Sequence, residues 1–200
     1  MRFYNPTTEE VIDKKELCRK FNTSIPLDIE EFNGYYALED DRNTHYEYNS
    51  IFQELSDTVI VNEDGKYKEK RNILDKDINV IKHLLNLDVE RKFEEISKDV
   101  SLESSLGFEV NANDIALRNI NGLIDTLEDG ETCIFRLYNN EFKELTKEEL
   151  YILKKEIILN GQYLYKQKWD MLSTIKNCTS IEELKNISIK YTSIRFDKDQ

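Results

Sequence analysis

Histidine and cysteine are the side chains best suited to covalent or metal chemistry, and this chain has two of the first and three of the second. His45 lies in a polar, aromatic-rich stretch, and His83 sits beside a core position of a helical pattern. Neither falls in a nucleophile motif, where an attacking group needs a base next to it. Cys18, Cys133 and Cys178 are odd in number and widely spaced, with no CxxC and no histidine neighbour. A disulfide framework or a thiolate zinc site is therefore not expected, and buried free thiols are. The glycines stand singly, so no phosphate-cradling loop forms, and the HExxH zincin spacing is absent. Paired carboxylates remain as a route to acid–base chemistry. With forty acidic residues, however, chance pairs carry no signal. The expectation is a chain without catalytic residues, metal ligands or a cofactor.

Contact chemistry is better represented. Phe32, Tyr35, Tyr36, Tyr46, Tyr48 and Phe52 fall within 21 positions. Across positions 28–64, eleven carboxylates face one basic residue, Arg42, a local net charge of −10. The whole chain carries 28 basic and 40 acidic side chains, a net charge of −12. Aromatics can stack bases, but single-strand binders pair them with positive charge. Direct nucleic-acid binding is excluded as a simple reading, because the summed field repels phosphate. The six aromatics with Asp40 and Asp41 are the candidate partner-binding surface, since Tyr gives large amphipathic contact at modest entropy cost. The competing reading makes the acids a solvated face and the tyrosines filling at the core edge. A second aromatic group, Tyr151, Tyr163, Tyr165 and Trp169, reads as core packing, with Tyr165 and Trp169 four apart on one helix face.

The elements that would position these residues define an α+β chain. Residues 1–75 read as a small mixed α/β domain, and residues 76–200 as a helical domain with a hairpin near 132–145. The spacing predicts a helix over 7–21, capped by Thr7 with Glu10 in a capping box. A strand follows at 35–38, then strands at 57–61 and 66–71 around the Asn62–Gly65 turn. Ile78, Ile81, Leu85, Val89, Phe93, Ile96 and Val100 repeat at three- and four-residue steps. They make one stripe of a helix over 78–100. That stripe either packs inside the chain or, at Ile78, Ile81, Leu85, Val89, Phe93 and Ile96, forms a seam with a second copy. An extended segment at 106–112 precedes a helix from Asp114 to about Glu128, capped by Asn113. Ile115, Ile120, Leu123, Ile124 and Leu127 are its core face, and Gly130 is its left-handed C-terminal residue. Thr132–Tyr138 alternates, with Cys133, Phe135 and Leu137 on one side; Phe142 is the packing residue of the returning strand. Thr146/Glu149 and Ser180/Glu183 are further capping boxes. Between them runs a long helix in which Gly161 permits a close approach or a bend, or marks a break. Tyr191, Ile194 and Phe196 can anchor the end of the chain.

Residues across roughly 78–189 resemble an uncharacterised domain of phage and prophage proteins found near tail-fibre genes. The likeness lies in Gly107–Ala112, in Arg118–Ile124 followed by Gly130, and in the strand to Tyr138. It continues in Asn140, Phe142, Leu145–Leu150, Trp169–Ile175 and Thr179–Leu184. Where related chains carry a tryptophan in the middle strand, this one has Phe135 and Tyr138. The first half more faintly resembles tail-fibre assembly proteins. There the match is Phe21, Ser24, Ile25 and Pro26, with the Asp64-Gly65-Lys66-Tyr67 turn, although the prolines usual between these points are missing. The resemblance implies a small non-enzymatic phage protein whose partner is a tail-fibre or receptor-binding protein, a chaperone of its assembly or a fibre-associated component. The alternative is an acidic phage inhibitor of a host nucleic-acid-binding enzyme. No run of 18 apolar residues is present, and the start lacks an apolar secretion core. The expected place is the bacterial host cytoplasm, without membrane association, or the particle itself.

Overall fold

The computed structural model describes residues 1–26, 28–42 and 44–196. The protein is mixed α and β, and divides into two compact units, Met1–Lys76 and Asp77–Gln200. Strands occur in both, so the second unit is not helical apart from one hairpin: it holds two separate two-stranded ribbons.

The first unit opens with β1 (Arg2–Asn5), β2 (Glu10–Asp13) and α1 (Lys14–Lys20). The helix expected over 7–21 therefore begins seven residues late. Asn5 is the reason: its side-chain oxygen accepts from the amides of Thr7, at 2.9 Å, and Thr8, at 3.2 Å. That local turn competes with a helix start, and Glu9, at φ 58°, lies outside helical space. Asp13 caps α1 instead, accepting from Glu16 N at 2.9 Å. β3 (Glu31–Phe32), β4 (Tyr35–Glu39), β6 (Val59–Glu63) and β7 (Lys66–Lys70) complete a sheet of order β2-β1-β4-β7-β6, with β3 pairing the start of β4. β5 (Gln53–Leu55) and β8 (Ile73–Asp75) form a separate ribbon. The expected turn at Asn62–Gly65 joins β6 to β7, with Asp64 and Gly65 both at positive φ. One sheet face is the core. Phe3, Ile12 and Tyr35 pack there with Leu17 and Ile25, and with half-buried Phe21 and Phe32.

The second unit begins with α2 (Ile78–Lys98), capped by Asp77. Asp99 ends it, so Val100 leaves the helix as a buried lead into β9 (Ser101–Glu103). β9 pairs with β10 (Glu109–Asn111). α3 (Asp114–Thr126) is capped by Asn113, whose side chain accepts from Ala116 N at 3.0 Å. It stops at Leu127, so Gly130, at φ 88°, belongs to the following turn rather than to the helix cap. β11 (Thr132–Arg136) and β12 (Phe142–Thr146) form the expected hairpin. Both capping boxes are present, at Thr146/Glu149 for α4 (Lys147–Asn177) and Ser180/Glu183 for α5 (Ile181–Lys185). α4 runs unbroken through Gly161. The core gathers Phe93, Val110, Ile120, Ile124, Leu137, Leu145, Leu150, Leu153, Ile157 and Leu164 among others.

The end of the chain docks as anticipated for Tyr191, Ile194 and Phe196. Tyr191 donates to the Val89 carbonyl at 3.0 Å, and Ile194 N donates to buried Asn160 Oδ1 at 2.8 Å. Phe196 N donates to Glu103 O at 3.3 Å. The final residues, 197–200, lie outside the described part.

Candidate functional site

Strand alternation sorts the predicted partner-binding residues onto different sides of the first unit. On β4, Tyr35 points into the core at 3% exposure, and its neighbour Tyr36 points to the other face. Phe32 and Tyr35 both meet Phe21 edge-on, at 5.5 and 6.0 Å between centroids. Phe52 is buried too. Tyr35 and Phe52 are core residues with almost no surface for a partner, and half-buried Phe32 packs at the core edge. Tyr36 is half-buried against Tyr67, at 5.1 Å, and Tyr67 meets Tyr4 at 5.2 Å. This three-tyrosine row on the second sheet face includes two residues absent from the expected set. Tyr4 and Tyr67 escaped notice because the row exists only once β1, β4 and β7 are neighbours. Tyr46 is half-buried, its hydroxyl accepting from Arg71 N at 3.1 Å, and Tyr48 alone of the six is exposed.

The two candidate acids are neutralised internally. Asp40 takes Arg42 as a close ion-pair partner, with Arg2 at 3.6 Å. The Arg42 side-chain hydrogen bond, then its backbone amide, hold the Asp40 carboxyl down at about 2. Asp41 is buried and faces Arg71 Nε at 3.0 Å. Glu39 and Glu63 pair with Lys68 and Lys70. Asp28, Glu30, Glu31, Glu47, Glu54, Asp57 and Asp64 have no cation within 4.0 Å among the described residues. The solvated part of the acidic stretch is therefore these seven.

One cluster has the look of acid–base chemistry. Tyr35 donates its hydroxyl to Glu10, and Lys20 Nζ reaches the same carboxylate at 2.6 Å. Donation from Lys20, then from Tyr35, lowers the Glu10 pKa, and the Glu10 contact raises that of Lys20. Both shifts favour the charged pair, which makes this a structural clasp between β2, α1 and β4 rather than a poised base. His45 and His83 are exposed on different units. The cysteines are free and half-buried, not fully buried as expected; desolvation raises the Cys133 pKa, away from a reactive thiolate. Among the described residues, no three histidine, cysteine or acidic side chains gather as metal ligands.

In the second unit the proposed seam is already covered. Ile81, Leu85, Val89 and Phe93 are buried on the α2 face that meets α4 and α5, with Ile78 and Ile96 half-buried at its margin. The chain's own helices occupy this stripe, so a second copy cannot. Several large apolar residues are mostly in solvent, among them Phe142, Ile115 and Trp169, for which packing was expected, and Ile134, which alternation places opposite the inward set. Phe142 is 71% exposed, Ile134 71% and Ile115 59%. Trp169 is 63% exposed, stacked at 5.8 Å on Tyr165, which in turn leans on Phe93 at 4.8 Å. Tyr151 and Tyr163 are also exposed, so the second aromatic group is largely surface rather than core.

Ile134 and Phe142 share one side of the hairpin, because Ile134 lies opposite Glu144 and Arg136 opposite Phe142. Cys133, Phe135, Leu137 and Leu145 take the other, inward side. Beside β11 a cavity of about 430 Å³ opens between Asn111, the α3 side chains of Ile115, Ala116, Asn119 and Leu123, and Ile134–Arg136. Apolar groups exposed on a ribbon beside a concave wall suit contact with a partner. Comparison with family models, curated proteins and solved structures finds no match to the chain. Among the described residues, no helix is long and apolar enough to cross a membrane.

Proposed function

We propose that this protein is a phage tail-fibre assembly factor, or a small fibre-associated component, that works by protein–protein contact and makes or breaks no bond. One observation carries the contact reading. Large apolar side chains stand in solvent on well-formed elements, foremost Ile134 and Phe142 on one side of the β11–β12 hairpin. Exposing them forfeits hydrophobic stabilisation of about 1.5–3 kcal/mol per side chain, which a bound partner restores. The residues behind the phage resemblance support the fibre assignment. Gly107–Ala112, Arg118–Ile124 and Phe142 come from β10 with its turn, α3 and β12, the elements around that exposed face. The mechanism follows: the hairpin face covers an aggregation-prone segment of the fibre while the fibre folds or attaches, without a cofactor.

Co-expression with a tail-fibre protein of the same genome tests this. The fibre is expected to become soluble and trimeric only when the chain is present. A fibre equally soluble and trimeric alone overturns the proposal. Salt-sensitive capture of a basic nuclease, with no affinity for the fibre, replaces it with the acidic-inhibitor reading.

A further inference from the structure

The two ribbons of the second unit meet at one point and then part. Leu137 N donates to Glu141 O at 2.8 Å, across the hairpin. By alternation the main-chain groups of Cys133 and Phe135 also point to β12, and those of Ile134, Arg136 and Tyr138 point the other way. On β10, Ala112 N donates to Val100 O at 2.7 Å, and Phe108 O accepts from Ser104 N at 3.0 Å. Glu109 and Asn111 consequently face away from β9. Tyr138 N donates to Glu109 O at 3.0 Å, which pins the two outward edges together. Beyond that pin lies the 430 Å³ cavity, with Asn111 on one side, Ile134 and Arg136 on the other, and α3 as its wall. The outward main-chain groups of Ile134 and Arg136 have no hydrogen-bond partner among the described residues. The cavity lies between the outward edges of two separate ribbons, β9–β10 and β11–β12.

We infer that this gap receives one extended segment of a partner protein, added as a strand antiparallel to β11, with a carboxylate opposite Arg136 and an aliphatic side chain opposite Ile134. Strand addition of this kind takes affinity from main-chain bonds and specificity from alternate side chains. Charge and register argue for the occupant. Arg136 is the one charged residue lining the cavity, and it has no carboxylate within 4.0 Å among the described residues. Its side of the ribbon is shared with Ile134, two residues or about 7 Å away. An antiparallel partner therefore reads acid, any residue, aliphatic, in chain order. Glu144, beside Ile134 on the same side, disfavours an acid at the aliphatic position. A second copy is a poor occupant. Its own β11 edge carries the same α3 and Asn111 walls, which would meet these before the strands could pair.

The test uses the full chain and three blocked pentapeptides: Thr-Glu-Thr-Val-Thr, its Lys-for-Glu counterpart, and the reversed order Thr-Val-Thr-Glu-Thr. Titration is followed by amide NMR shifts. The first peptide should move the Asn111, Ile134 and Arg136 amides and bind about tenfold more tightly than the Lys peptide, the scale expected when attraction replaces like-charge repulsion. R136E should reverse that preference. I134P should abolish binding yet keep the hairpin, since the N–H it removes points outward and edge strands tolerate proline. Reversal by R136E keeps the test decisive if I134P misfolds. Equal binding of the Glu and Lys peptides, or shifts confined to other surfaces, overturns the inference. So does a concentration-dependent dimer in sedimentation that R136E or I134P dissolves. The peptide result does not depend on the partner being a fibre, so failure of the fibre assignment and failure of this site are separable.

Discussion

Phe142 and Leu145 stand three residues apart on one short strand, and the parity of the strand assigns them opposite fates. Leu145 is fully buried among Cys133, Leu137 and Leu150, whereas Phe142 keeps 71% of its surface in water. Burying a whole side chain of this size is worth about 1.5–3 kcal/mol. Phe142, with some three-tenths of its surface covered, therefore contributes at most about 1 kcal/mol. Leu145→Ala removes packed methyl groups and leaves a cavity, at about 2–5 kcal/mol. Urea unfolding, followed by circular dichroism at a helical wavelength, compares the two. Most of the helix lies in the second unit, so the signal reports the right core. Phe142→Ser should move the midpoint little at unchanged slope, while Leu145→Ala moves it far. If the order is reversed, with Phe142→Ser costly and Leu145→Ala nearly neutral, the register of β12 is displaced by one residue and every side chain on it has changed face. The exposed apolar face of the hairpin would then not exist.

Three further outcomes follow from individual contacts. Asp40 is held at about 2, below its ordinary value of 3.8, so its stabilising effect is full above that ordinary value and lost as pH falls toward 2; carbon-detected NMR should give a midpoint near 2 that returns toward 3.8 in Arg42→Ala. Tyr191, pushed up to about 12 by burial and then by Glu90, should stay un-ionised as pH passes 10; its contribution is complete below pH 10 and lost between about 10 and 12, readable as delayed tyrosinate absorbance. Thr146→Ala removes the hydroxyl that accepts from Glu149 N at 3.2 Å, and should cost about 1 kcal/mol in the same urea assay; Thr146→Ser should recover most of it.

Helix ends were legible because their signals are local. Asn113, Thr146 and Ser180 each cap the helix that their residue type and spacing indicate, and the stripe from Ile81 to Phe93 packs as its period requires. Thr7 and Glu10 carry the same capping-box signature without a helix, since Asn5 takes the amides of Thr7 and Thr8 first and pairing with β1 draws 10–13 into the sheet. β9 went unread because Val100 extends the periodicity of α2 by one more turn, and only β10 reveals it as a strand lead. The inward set Cys133, Phe135 and Leu137 was legible from alternation alone. Phe142 was not, because its face depends on the register across the turn, fixed by the Leu137–Glu141 bond. The partner surface suffered most. Proximity in sequence suggested one patch from Phe32 to Phe52, while strand alternation sends Tyr35 and Tyr36 to opposite faces, Arg42 with Arg2 neutralises Asp40, and Arg71 neutralises Asp41.

Hydrogen–deuterium exchange of this chain, alone and with the co-expressed fibre protein, tests the contact account most directly. Exchange should slow across 132–146 and at 111–123 when the fibre is present, with the first-unit core Phe3, Tyr35 and Leu17 unchanged. Identical exchange at every peptide in saturating fibre would contradict it.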